Sequence, residues 1–146
     1  MTQVEKELLV KYLCMALPYG VMIEGLERPE VMTIKHLAII SAMSAEPYKP
    51  YLRPMSSMTD EEKEELLNAV VGEDAIKYFQ VLPDGSIDNT DTAHQDLYNF
   101  TMHWVNFDAT NTSSYLNWLL ENHFDFMGLI PKDLAIEVTE ENNPYK

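Results

Sequence analysis

Cysteine, glycine and basic residues are all scarce in this chain of 146 residues. The single Cys14 cannot close an internal disulfide and brings no thiolate cluster for zinc. Five glycines leave little backbone for cradling phosphates. The sequence holds no Gly-rich loop ending in Lys-Ser or Lys-Thr, no dinucleotide fingerprint, no nucleophile elbow and no His-Glu-x-x-His helix. No apolar run approaches the roughly 18 residues of a membrane span, and the first residues lack a basic region leading into an apolar run and cleavage site. A cytoplasmic protein without membrane contact is the expectation.

Ten Lys and Arg face 24 Asp and Glu, for a net charge of −14. Such a surface repels a phosphate backbone, which argues against direct nucleic-acid binding. Between Tyr78 and Pro131 there is no Lys or Arg at all, while Asp84, Asp88, Asp91, Asp96, Asp108, Glu121 and Asp125 contribute negative charge. That half suits a basic partner surface or a cation, or serves solubility alone.

What is present is a globular composition, 46% hydrophobic and 10% aromatic, in a length that makes a comfortable single domain. Thr2 and Glu5 have capping-box spacing. Val4, Leu8, Leu9, Tyr12, Leu13 and Leu17 then mark one face of a helix that Pro18 and Gly20 close. Cys14 lies beside this face and reads as a small buried hydrophobe. The Val, Ile and Met of 19–24 and 31–40, separated by a turn containing Gly25 and Pro29, suggest a β-hairpin, although 35–40 could be helical. His36 reads as a surface or packed histidine.

Residues 44–58 hold Pro47, Pro50 and Pro54 interleaved with Tyr48, Tyr51, Leu52, Arg53, Met55 and Met58. Prolines at this density exclude regular helix and favour a stiff, extended connector. It either covers the core or offers Tyr48, Tyr51, Arg53, Met55 and Met58 to a partner, with Arg53 able to anchor a helix terminus or carboxylate. Thr59 and Glu62 form a second capping box, and the acids after Thr59 sit where the helix dipole is positive. Leu66, Leu67, Val70 and Val71 face inward, and Gly72 ends that helix. Tyr78–Leu82, the turn Pro83-Asp84-Gly85 and Ser86-Ile87 read as strand, turn and return. Asp91 or Thr92 would cap a further helix over 93–107. A polar loop over 106–114 follows, then a helix capped by Thr112, Ser113 or Ser114 with Tyr115, Leu116, Leu119, Leu120 and His123 on one side. Gly128 and Pro131 break the pattern, Leu134, Ile136 and Val138 alternate as a strand, and 139–146 is expected as a flexible tail.

For chemistry, His103, His123 and Asp125 are the residues to weigh. On a helix over 93–107, His94 and His103 point about 180° apart and cannot share an ion, so no metal is expected, nor any cofactor. His123-Phe124-Asp125 could pair around a turn as an alternative small enzyme or ligand site, against a cap or core polar contact. No residue is assigned a catalytic role.

Three blocks carry a likeness: Leu17-Pro18-Tyr19-Gly20-Val21; Lys49 to Thr59 with its acidic helix; and Asn117-Trp118-Leu119 through His123-Phe124-Asp125, Gly128-Leu129-Ile130 and Leu134-Ala135-Ile136-Glu137. Together they resemble a family of small uncharacterised proteins encoded in phages and prophages of gut bacteria. The resemblance covers about a third of the chain and implies expression in a bacterial cytoplasm, with no activity to carry over. The expected architecture is α+β: a single compact domain of several helices packed on a small antiparallel sheet, formed by the first hairpin and the strand at 134–138. The expected function is that of an accessory protein binding a protein partner, with a minor alternative in which the acidic face mimics DNA.

Overall fold

Thr2 opens the chain's first helix as its spacing predicts. Its hydroxyl accepts from the Glu5 amide at 3.2 Å, and the Glu5 carboxylate accepts from the Thr2 amide at 2.6 Å. These bonds hold the Glu5 carboxyl below its ordinary range. The computed structural model describes residues 1–42, 48–73, 76–89 and 109–146. The architecture is α+β, and the chain divides into two compact units, Met1–Pro54 with Leu120–Lys146 and Met55–Leu119.

The first unit contains α1 (Gln3–Ala16), β1 (Met22–Ile23), β2 (Glu30–Val31), α2 (Ile34–Ala42), β3 (Tyr51–Leu52) and β6 (Ile136–Glu137). α1 buries Leu9, Tyr12, Leu13 and Ala16, the 3.6-residue stripe, and Gly20 at φ 67° turns the chain out of the short 3-10 turn that follows. Cys14 is exposed, because it stands about 100° round the helix from Leu13, outside that stripe. Val4 is exposed as well. The second hairpin arm is strand only at Glu30–Val31. From Ile34 the chain is helical, with the Thr33 amide donating to His36 Nδ1 at 3.0 Å as a cap and the helix packing on α1. A local cap and an apolar partner outweigh the β preference of its isoleucines.

The sheet differs in detail from the antiparallel one expected. β1 and β2 are antiparallel, but β6 pairs in parallel with β3, Tyr51 opposite Ile136 and Leu52 opposite Glu137. A bridge from Ile23 to Pro50 and a bond from the Glu24 amide to the Lys49 carbonyl join β1 to the start of β3. Residues 49–52 of the proline-rich connector therefore lie between the hairpin and β6, their carbonyls accepting on both sides. Leu52, Val21, Ile23, Met32, Ile40, Leu120, Leu129, Leu134 and Ala135 complete the core on which α1 rests.

The second unit contains α3 (Asp60–Val70), β4 (Phe79–Val81), β5 (Ile87–Asn89) and α4 (Ala109–Glu121) up to Leu119. Thr59 and Glu62 make the second reciprocal cap, and Leu66, Leu67 and Val70 are buried. Phe79 and Tyr78 join Leu67 in an apolar cluster. β4 and β5 pair antiparallel around the turn read from the sequence, with Gly85 at φ 82° and Asp84 Oδ1 accepting from the Ser86 amide and hydroxyl. The Tyr115 hydroxyl donates to the Gly85 carbonyl at 2.8 Å, tying α4 to this turn. α4 begins at Ala109, so the polar loop expected over 106–114 is helical from 109 onward. Its Thr, Asn and Ser residues are only weakly helix-averse, about half a kcal/mol each, and a packed helix readily extends through them. The helix expected over 93–107 lies outside the described residues.

Candidate functional site

Glu121 ends α4, and His123 then takes a left-handed backbone at φ 61°, an unfavourable geometry for a side chain with a Cβ. The Arg53 amide donates to the His123 carbonyl and the Asp125 amide donates to the Arg53 carbonyl, both at 2.8 Å. The turn is thereby stitched to the end of the connector as a further parallel bridge. Between these two bonds Phe124 is fully buried, with the Arg53 guanidinium 4.2 Å from its ring centroid.

Asp125 is 7% exposed. Its Oδ1 accepts from the Leu129 amide and its Oδ2 from the Ile130 amide, each at 2.8 Å. Both carboxylate oxygens are thus committed to closing the loop that leads into the 3-10 turn Ile130–Lys132. Asp125 is a backbone clamp.

His123 turns the other way. Its ring stacks on Tyr145, centroids 3.9 Å apart and planes 7° from parallel. Its Nδ1 is buried without a hydrogen-bond partner among the described residues. Burial, with a smaller contribution from Arg53, pulls the imidazole down to about 4. A neutral imidazole so reluctant to take a proton is a poor general base at neutral pH. Among the described residues no hydrogen bond or ion pair joins His123 to Asp125, and no group of three or more His, Cys, Asp or Glu could hold a metal. His103, the third member of the proposed polar site, lies outside the described residues, as does His94.

Tyr145 was not anticipated from the sequence, which led to a flexible tail. Its hydroxyl donates to the Tyr51 carbonyl at 2.7 Å and accepts from the Met22 amide at 3.1 Å. Burial raises its phenol above the ordinary range. Asn142 shapes the approach, accepting from the Thr139 amide and donating to the Glu137 carbonyl. The tail is a built strap because one large side chain finds two unpaired backbone groups on adjacent strands. The only hint in the sequence is an aromatic residue after the turn formers Asn142-Asn143-Pro144.

The connector residues are dispersed. Met58 is 6% exposed and belongs to the interior, while Tyr51, Arg53 and Met55 are half-buried. Tyr51 serves β3, and Arg53 covers Phe124. Tyr48 is half-buried, edge-on to His36 at 5.4 Å. It also lines a shallow depression of about 290 Å³ with Leu26, Glu27, Arg28 and Glu30. Here the hairpin loop carries Leu26 at 96% exposure, followed by Val31 at 52% and Ile34 at 71%. Three of the six large apolar side chains exposed among the described residues thus fall within nine residues of sequence. A leucine placed in a turn, Gly25-Leu26-Glu27-Arg28, with no periodic partner was the available signal.

No helix among the described residues is long and apolar enough to cross a membrane. Comparison of the chain with protein-family models, with curated proteins and with solved structures finds no match.

Proposed function

We propose that this chain is a non-enzymatic accessory protein that docks a protein partner through the hairpin loop and the start of α2. The reading rests on one observation: Leu26 stands exposed on the depression that Tyr48 lines, and Val31 and Ile34, a few residues on in the same hairpin and helix start, are exposed as well. Burying an exposed leucine or isoleucine contributes about 1.5–3 kcal/mol, so a few such anchors suffice for a specific if modest interface. Exposed Glu24, Glu27 and Glu30 outnumber the exposed Arg28 and Lys35 in this stretch, a slight acidic excess that suits a partner with a basic rim. The likeness to phage and prophage proteins supports a partner in a bacterial cytoplasm, where an accessory protein of this kind would modulate or inhibit a host factor.

Capture from bacterial lysate by the wild-type chain and by the Leu26→Ser/Ile34→Ser variant tests the proposal. A protein retained by the wild type and reduced at least about tenfold by the variant, with the unfolding midpoint unchanged, supports it. Equal capture by both, or capture by neither, contradicts it.

The rival reading, a small catalytic or ligand site at His123 and Asp125, is disfavoured by what those two side chains already do. Both carboxylate oxygens hold backbone amides, and the imidazole is covered by Tyr145.

A further inference from the structure

We infer that residues 139–146 form an acid-releasable strap: Tyr145 closes on β1, β3 and the His123 ring while that ring is neutral, and protonation of His123 frees it. The inference is independent of what docks on the hairpin loop.

The strap's hold on the body is concentrated in one side chain. Tyr145 reaches the Met22 amide on β1, the Tyr51 carbonyl on β3 and the face of the His123 imidazole. The bonds made by Asn142 stay local, reaching only Thr139 and Glu137. Loosening the Tyr145 contact is therefore enough to detach the segment, and the core cluster beneath contains no residue beyond Ala135.

His123 is placed to sense protons because its neutral form fits and its charged form does not. A neutral imidazole carries one N–H, and its bare nitrogen can be buried at modest cost. A second proton would set an N–H on the buried Nδ1, where no acceptor stands among the described residues. Arg53, which follows β3, adds a like charge. Tyr12 of α1 and Tyr145 of the strap face the same cluster, but burial raises both phenols and they remain neutral throughout. Asp125 could in principle answer the imidazolium, but its two oxygens are already held by the Leu129 and Ile130 amides. Glu140, Glu141 and Lys146 of the strap itself are exposed. With the strap open, the imidazole regains water and rises toward its ordinary 6.5, so protons bind the open form preferentially. The window runs from 6.5 down to about 4, and opening exposes the Met22 amide and the Tyr51 carbonyl together.

A pH titration of the full chain by NMR tests this, following the His123 ring protons, the Met22 amide and the Tyr145 ring. The expected result is a common midpoint for all three signals. The resonances of 140–146 should move to random-coil positions while the α1 amides stay dispersed, and the open fraction should rise at least about tenfold across the window. Linkage also requires the reverse effect, so Tyr145→Ala should move the His123 midpoint up toward 6.5. A strap that stays docked while His123 titrates would overturn the inference. So would a His123 midpoint unmoved in Tyr145→Ala.

Discussion

The imidazole of His123 and the phenol ring of Tyr145 lie face to face, 3.9 Å between centroids. This one contact reassigns both ends of the unit's C-terminal segment. The histidine that looked available for chemistry is covered, and the tail that looked loose is fixed.

The two parts of the Tyr145 contact can be separated by substitution. Tyr145→Phe keeps the stacked ring and strands the Met22 amide and Tyr51 carbonyl, which should cost about 1–3 kcal/mol. Tyr145→Ala removes the ring as well and should cost more. Urea unfolding midpoints of the two variants decide the matter, and equal values would mean that the ring contributes nothing.

Asp125 is expected to be the costliest polar position in its loop. Asp125→Asn preserves shape but turns an amide N–H toward one of the two backbone amides that the carboxylate now accepts. The penalty should be about 2 kcal/mol or more, against about 1 kcal/mol for Thr59→Ala at the helix cap. If Asp125→Asn unfolds at the wild-type denaturant concentration, the clamp assigned to it does not exist.

Legibility in the sequence followed the range of the interactions. Both capping boxes, the Asp84-Gly85 turn and the buried stripe of α3 rest on residues within four positions of one another, and all formed where the sequence places them. The parallel pairing of β3 with β6, the bridge from Arg53 to Phe124 and the seat of Tyr145 join distant segments through backbone groups that every residue carries. Nothing in side-chain periodicity distinguishes those partners. Of the candidate site, residue types were readable and their commitments were not. Asp125 and His123 are spoken for by amides and a ring that no local spacing announces.

Gly85 should be intolerant of any side chain. It sits at φ 82°, and an added Cβ would run into the terminal methyl of Met55. The positive φ alone costs about 1 kcal/mol for alanine. Gly85→Ala should therefore lower thermal stability by more than that, and Met55→Ala in the same chain should recover the steric part only. Full recovery would show that the backbone angle carries no strain.

Acid should weaken the fold before the carboxylates titrate. A base whose folded value is depressed to about 4 from 6.5 binds its proton more tightly when unfolded, so its contribution is complete above 6.5 and is lost on going down to about 4. Between about pH 6.5 and 5, ordinary carboxylates remain ionised. Denaturant midpoints over that interval should fall in the wild type and flatten in His123→Asn, whose asparagine tolerates the left-handed backbone. Parallel curves for the two proteins would remove His123 as the sensor.

Photo-crosslinking in living bacteria puts the docking proposal to its most direct trial, with a photoreactive residue placed singly at Leu26, Ile34 and, as a control on α3, Glu64. The account predicts one discrete adduct of the same mass from Leu26 and Ile34 and none from Glu64. Adducts from Glu64 alone, or none from the hairpin positions, would contradict it.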